Sequence, residues 1–172
     1  MVKNKKILFI HQNFPGQYKH IYKVLVREGY EVHSLSISKY EGEGISNHYY
    51  ELNSSSSDSI NQWAREFEAK MIRADSALNK CLELKNGGFD PDLIIGHPGW
   101  GETFFMKEVW PKAKLLTYVE FYYKTIDCDI DFDRSVIEDD LNLNFEEFYK
   151  FNKFKLAARN APFLASYATS DY

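Results

Sequence analysis

Cysteine is nearly absent: Cys81 and Cys128 are the only two in 172 residues, and their spacing matches neither a disulfide framework nor a zinc pattern. Both read as free thiols. Long hydrophobic runs are lacking as well. None approaches the roughly 20 residues of a membrane-spanning helix, and the first, Ile7 to Ile10, is far shorter than a signal-peptide core. Lys3, Lys5 and Lys6 precede it as a signal would require, but Asn13, Pro15 and Gly16 soon break the apolar character and no small-residue cleavage site appears. The chain therefore reads as cytoplasmic. Basic clusters are missing too, and a formal net charge of −4 offers no concentrated positive face for phosphate neutralisation, which argues against a dedicated nucleic-acid binder. No internal repeat is apparent.

What remains is an ordinary globular composition, 44% hydrophobic and 27% charged, of single-domain length. The unusual figure is 16% aromatic, from 12 Tyr, 13 Phe and 3 Trp. Such rings bury large areas, and they also line pockets for sugars and planar ligands.

Strand and helix signals alternate along the chain. Lys6 to His11 is a short apolar run, expected as a strand buried on both faces. Tyr18, Ile21, Tyr22, Leu25 and Val26 then recur at helical spacing, and Gly29 stops them as a C-terminal cap would. Glu31 to Ile37 alternates as a second strand. Residues 38 to 57 are polar and turn-rich, with Tyr49 to Leu52 a candidate third strand and Ser54 to Ser57 a loop. A long helix is expected from Asp58, capped by Ser57 or Asp58, with a stripe of Ile60, Trp63, Phe67, Met71, Ala74, Leu78 and Leu82 ending at Gly87 and Gly88. Asp92 to His97 reads as the fourth strand, Glu102 to Val109 as a helix and Lys114 to Val119 as the fifth strand. Further on, Asn144 with Glu147 fits a capping box for a helix that Pro162 should kink. Ala168 to Tyr172 resembles the start of another strand, as though the chain were cut between elements. The alternation predicts an α/β fold: a mostly parallel open sheet with helices on both faces. Ligands in such sheets bind at the carboxyl ends of the strands.

Two loops leave strand carboxyl ends: residues 11–17 and residues 97–102. Gly16 opens a helix, where backbone N–H groups favour an anion such as a phosphate; the alternative is plain turn geometry. In the second loop His97 could be a general base or orient a hydroxyl, Trp100 offers a flat face for a sugar ring, and Glu102 could accept from hydroxyls. Equally, His97 could cap a helix, Trp100 pack in the core and Glu102 support a helix N-terminus. Glu120 follows the fifth strand at the same edge, facing a cleft or solvent. Asp127, Asp129, Asp131, Ser135 and Glu138 fall at ligand positions of a calcium loop, but Phe132 stands where glycine makes the turn and Arg134 where an apolar residue is usual. Asp129 and Asp131 also form a D-x-D tripeptide. A solvated acidic loop is the expectation, with no metal site.

Ile7 to His20, Gly96 to Glu102 and Glu120 to Tyr123, in that order, resemble the amino-terminal domain of a bacterial glycosyltransferase family 4 group. Arg159 and Asn160 also fit, whereas Pro162 departs from the family's last helix. The resemblance implies a Rossmann-like amino-terminal half of a GT-B fold over residues 1–172, without the carboxyl-terminal domain that carries an E-x7-E segment and most of the donor site. It implies a retaining transfer from a nucleotide-sugar donor to a glycan or glycoconjugate acceptor, with no cofactor or metal. It also implies that this chain is nearly inactive alone, with its own carboxyl-terminal domain as partner and peripheral membrane association open to the longer enzyme. By position, Gly16 would approach the donor phosphates and His97 the transferred sugar or acceptor hydroxyl, in a positioning role before a catalytic one. Asn13, Trp100, Glu102 and Glu120 would shape the acceptor pocket. The alternative is a stand-alone carbohydrate- or nucleotide-binding module.

Overall fold

A computed structural model describes residues 5–119 apart from Trp63. Five strands, β1 (Lys6–Ile10), β2 (Glu31–Ser36), β3 (Ile45–Tyr49), β4 (Leu93–Gly96) and β5 (Lys114–Thr117), form one sheet in the order β3-β2-β1-β4-β5. Every pairing is parallel. Three helices connect them: α1 (Ile21–Arg27), α2 (Arg65–Asn86) and α3 (Met106–Val109).

Alternation along β1 divides its side chains between two cores. Ile7 and Phe9 join Tyr18 and Tyr22 from the α1 side, while Leu8 and Ile10 join Ala77, Cys81, Met106 and Trp110 from α2 and α3. Helices therefore cover both faces, and β1 reads as an apolar run because neither face meets water. The sheet is Rossmann-like: strand order reverses direction between β1 and β4, the place where such folds open a crevice.

Sequence periodicity locates most elements, and three differ in instructive ways. The third strand is Ile45–Tyr49, ahead of the expected Tyr49 to Leu52. It is an edge strand whose polar residues find partners on β2. Ser34 Oγ donates to Asn47 Oδ1 at 2.6 Å, and His33 Nδ1 lies 2.9 Å from His48 Nε2. Residues that look like a loop are thereby satisfied in a ladder.

Helix α2 begins at Arg65, with Ala64 as an N-cap that makes no side-chain cap bond. Ser57 instead takes part in a turn before the helix, its N–H donating to Glu68 Oε2 at 3.1 Å. Of the expected stripe, Ala74 is buried and Leu78 packs against the core. Lys70, Ala74, Ala77 and Cys81 are buried, whereas Phe67 and Leu82 are 38% and 41% exposed. Ala77 and Cys81 join the core that holds Leu8 and Ile10, with Leu78 partly buried against it.

Likewise α3 starts at Met106 rather than Glu102, because Glu102 and Thr103 are buried in a turn ahead of it. The cap of α1 is as expected. Gly29 has φ +84, its N–H donates to the Val26 carbonyl and the Tyr30 N–H to that of Leu25, closing a Schellman motif. Cys81 is a free, buried thiol. Cys128, the acidic string 127–140, the capping box at Asn144, Arg159, Asn160 and Pro162 lie outside the described residues.

Candidate functional site

Strand register assembles the site. Ile10 pairs with Gly96 and Gly96 with Thr117, so the next residues, His11, His97 and Tyr118, line up along the carboxyl edge at the switch point. The imidazoles of His11 and His97 stand nearly perpendicular, centroids 6.0 Å apart, and the Tyr118 ring is 6.4 Å from His97. Both histidines are buried, at 7% and 6% exposure.

The two rings are held alike. Asn13 N–H donates to His11 Nδ1 at 3.0 Å, and Gly99 N–H donates to His97 Nδ1 at 3.1 Å. A nitrogen that accepts a backbone N–H carries no proton, so each neutral ring is the Nε2–H tautomer. In that state Nε2 is the nitrogen that donates.

The first loop gathers around His11. Gly16, at φ +46, opens only a 3-10 turn, Gly16–Lys19, and not the helix expected there, since α1 starts at Ile21; the Phe14–Pro15 peptide is cis. A Cβ on Gly16 would come within 2.7 Å of the His11 ring. The glycine is therefore required by the imidazole lying against it, whatever else approaches. Asn13 is exposed, and its Oδ1 accepts from Ser38 Oγ at 2.8 Å.

In the second loop His97 caps a 3-10 turn, Pro98–Trp100. Trp100 is not core: it is 41% exposed, with Lys70 Nζ and the Arg73 guanidinium 5.8 and 6.0 Å from its ring. Lys70 is buried on α2 and donates from Nζ to the Gly99 carbonyl at 2.5 Å. Gly99 is thus gripped twice, through its N–H by His97 and through its carbonyl by Lys70.

Glu102 lies behind this row. It is 1% exposed and accepts from the Tyr50 hydroxyl at 2.9 Å. Burial pushes its carboxyl above the usual range, opposed by hydrogen bonds from its own backbone and Tyr50 and by the charges of Arg73 and Lys70. The structure therefore brings together Asn13, Gly16, His97 and Trp100 around the edge and leaves Glu102 inside, away from solvent. Glu120 is outside the described residues. Sequence reading assigned no role to His11 or Lys70. His11 follows β1 as His97 follows β4, a symmetry visible in the sequence, whereas a lysine inside a helix gives no local sign of burial. Among the described residues no group of three or more His, Cys, Asp or Glu could hold a metal ion, and no helix is long and apolar enough to cross a membrane.

An all-parallel, doubly wound sheet with a two-histidine edge at its switch point defines a Rossmann-like α/β domain. The chain belongs to the glycosyl transferase family 4 group, whose family model matches residues 28–172. The solved structure of CalG4, the calicheamicin glycosyltransferase, is similar over 99% of this chain and 45% of its own, at 12% identity and a TM-score of 0.45. The chain thus spans under half the length of that protein. No curated protein matches the sequence.

Proposed function

We propose that this chain is the acceptor-side domain of a retaining, GT-B glycosyltransferase, moving a sugar from a nucleotide-sugar donor to a saccharide or glycoconjugate acceptor. Family membership supports the reaction class. The pair of Nε2–H imidazoles at the switch point is the observation that carries the residue roles.

His97 donates from Nε2 to an oxygen of the transferred sugar or of the acceptor hydroxyl. Because Nδ1 already accepts the Gly99 N–H, the neutral ring has no exposed lone pair with which to act as a base, so its role is positioning. In front-face retention the acceptor oxygen bonds to the anomeric carbon as the bond to phosphate breaks. The departing phosphate oxygen takes the acceptor proton. No cofactor or metal is needed for that balance. Trp100, flanked by Lys70 and Arg73, supplies a flat acceptor surface; Asn13 and Glu120 are further acceptor contacts, and Gly16 serves the donor phosphates. Glu102 acts from beneath, holding Tyr50 against the loop. The donor domain is a further part of the protein, and the domain alone transfers little sugar.

The test is His97→Ala in the protein carrying both domains. Transfer should fall at least about tenfold, or about 1.4 kcal/mol of transition-state stabilisation, with circular dichroism unchanged. Wild-type turnover in the folded variant removes His97 from the site. Ligand binding without transfer would favour a carbohydrate- or nucleotide-binding module without catalysis.

A further inference from the structure

Behind the first loop is a cleft that the transfer reading does not use. It has a volume of about 690 Å³ and lies between α1 and the loop joining β2 to β3. Small-molecule sites fall within about 300–1,000 Å³, so the space suits a ligand of one to a few rings.

Its floor is a pair of tyrosines. The Tyr22 and Tyr40 hydroxyls are 2.5 Å apart. Tyr40 is held in place by Tyr49, whose hydroxyl accepts from the Tyr40 N–H at 3.1 Å and donates to the Tyr40 carbonyl at 2.8 Å. Burial, with the bond to Tyr40, pushes the Tyr22 hydroxyl up to about 12. The walls balance in charge, Lys23 and Arg27 from α1 and Glu41 and Glu43 from the loop. The loop also carries glycine where any side chain would intrude: a Cβ on Gly42 would meet the Tyr40 ring at 2.5 Å and the Tyr22 hydroxyl at 3.2 Å, and one on Gly44 would strike Val26.

We propose that this cleft is a binding site for a neutral, hydroxyl-rich ligand, a saccharide by chemical class. The half-buried Tyr40 ring gives an apolar sugar face a surface, carboxylates accept from hydroxyls, and the ammonium and guanidinium groups donate to them. A net-neutral wall gives an anion no advantage. The cleft also continues the first loop. Phe14, whose N–H donates to the His11 carbonyl, packs its ring 5.5 Å from Tyr22 and 5.4 Å from Tyr40. The proposal does not depend on glycosyl transfer, since a binding module would use the cleft equally.

The experiment is a titration of the isotopically labelled protein, without any nucleotide-sugar, with neutral mono- to trisaccharides of glucose, galactose, mannose and N-acetylglucosamine. Sugar phosphates serve as the comparison. Amide signals of residues 41–44 should move saturably with at least one neutral sugar, with a dissociation constant of about 10 mM or tighter. Tyr40→Phe and Glu41→Gln should each weaken that binding by about fivefold, one hydrogen bond's worth, while His97→Asn leaves it unchanged. The wild-type shift map decides the matter even where a variant fails to fold. No shift at residues 41–44 with the whole panel, shifts confined to residues 97–101, unchanged affinity in both folded variants, or a preference for sugar phosphates would each overturn it.

Discussion

His97 and His11 differ from ordinary core histidines in what fixes them: one backbone amide each, two residues on, from a loop that has just left a strand. The same logic makes Gly16 sensitive. Gly16→Val places a β-branched side chain at φ +46 and against the His11 ring, which should cost about 1–3 kcal/mol in stability by urea denaturation. In the two-domain enzyme it should raise KM for the donor more than for the acceptor. Unchanged donor kinetics would take Gly16 off the donor side. A second histidine pair behaves differently. His33 bridges His48 and Glu31, each at 2.9 Å, and burial, with His33 and Lys80 nearby and opposed by Glu83, holds His48 down to about 4 from its ordinary 6.5. The unfolded chain therefore binds more protons than the native one across that window. Stability from this site is full above pH 6.5 and declines as pH falls towards 4. The difference in unfolding free energy between wild type and His48→Gln should shrink or reverse on going from pH 7 to 4.5; a pH-independent difference would contradict the shift.

Among the elements, α2 has a role its sequence does not advertise. Its close-packed face of Lys70, Ala74, Ala77 and Cys81 lets Lys70 reach the Gly99 carbonyl, so the helix holds the His97 loop from below. Lys70→Met should lose about 1–3 kcal/mol by urea denaturation, because the Gly99 carbonyl forfeits its ammonium donor. It should also alter Trp100 emission, since the ammonium near that ring is gone. Unchanged stability and emission would show that the loop holds itself. The pattern of β1, β4 and β5 was plain because unbroken aliphatic runs have few other uses at that length. Two features were hidden. The polar strand β3 becomes a strand through partners on β2, and the buried face of α2 is marked by small residues, which hydrophobic periodicity underweights. Glu102 was read as helix and pocket, yet a carboxyl bonded to Tyr50, 52 residues earlier, depends on a contact no local pattern encodes.

For the whole molecule, the strand order puts the ends of β1 and β4 side by side, and every role proposed at the site depends on that adjacency. On the proposed reading, donor binding falls to a second domain. The 172-residue protein should accordingly show less than about 1% of the sugar-transfer rate of the two-domain enzyme, a loss of roughly 3 kcal/mol or more in barrier lowering. Comparable rates, measured with the same donor and acceptor, would make this domain sufficient by itself. The sequence alone determined the α/β class, the order of the main elements, the two loops that leave β1 and β4 and the family, because periodicity, glycine punctuation and contiguous motifs are local properties of a chain. Tertiary structure decided that His11 stands beside His97, that Glu102 turns inward to Tyr50, that Lys70 grips Gly99 and that a tyrosine-floored cleft opens beside α1. Each of these joins residues distant in sequence, and strand register and helix packing, which bring them together, are set by the folded chain as a whole.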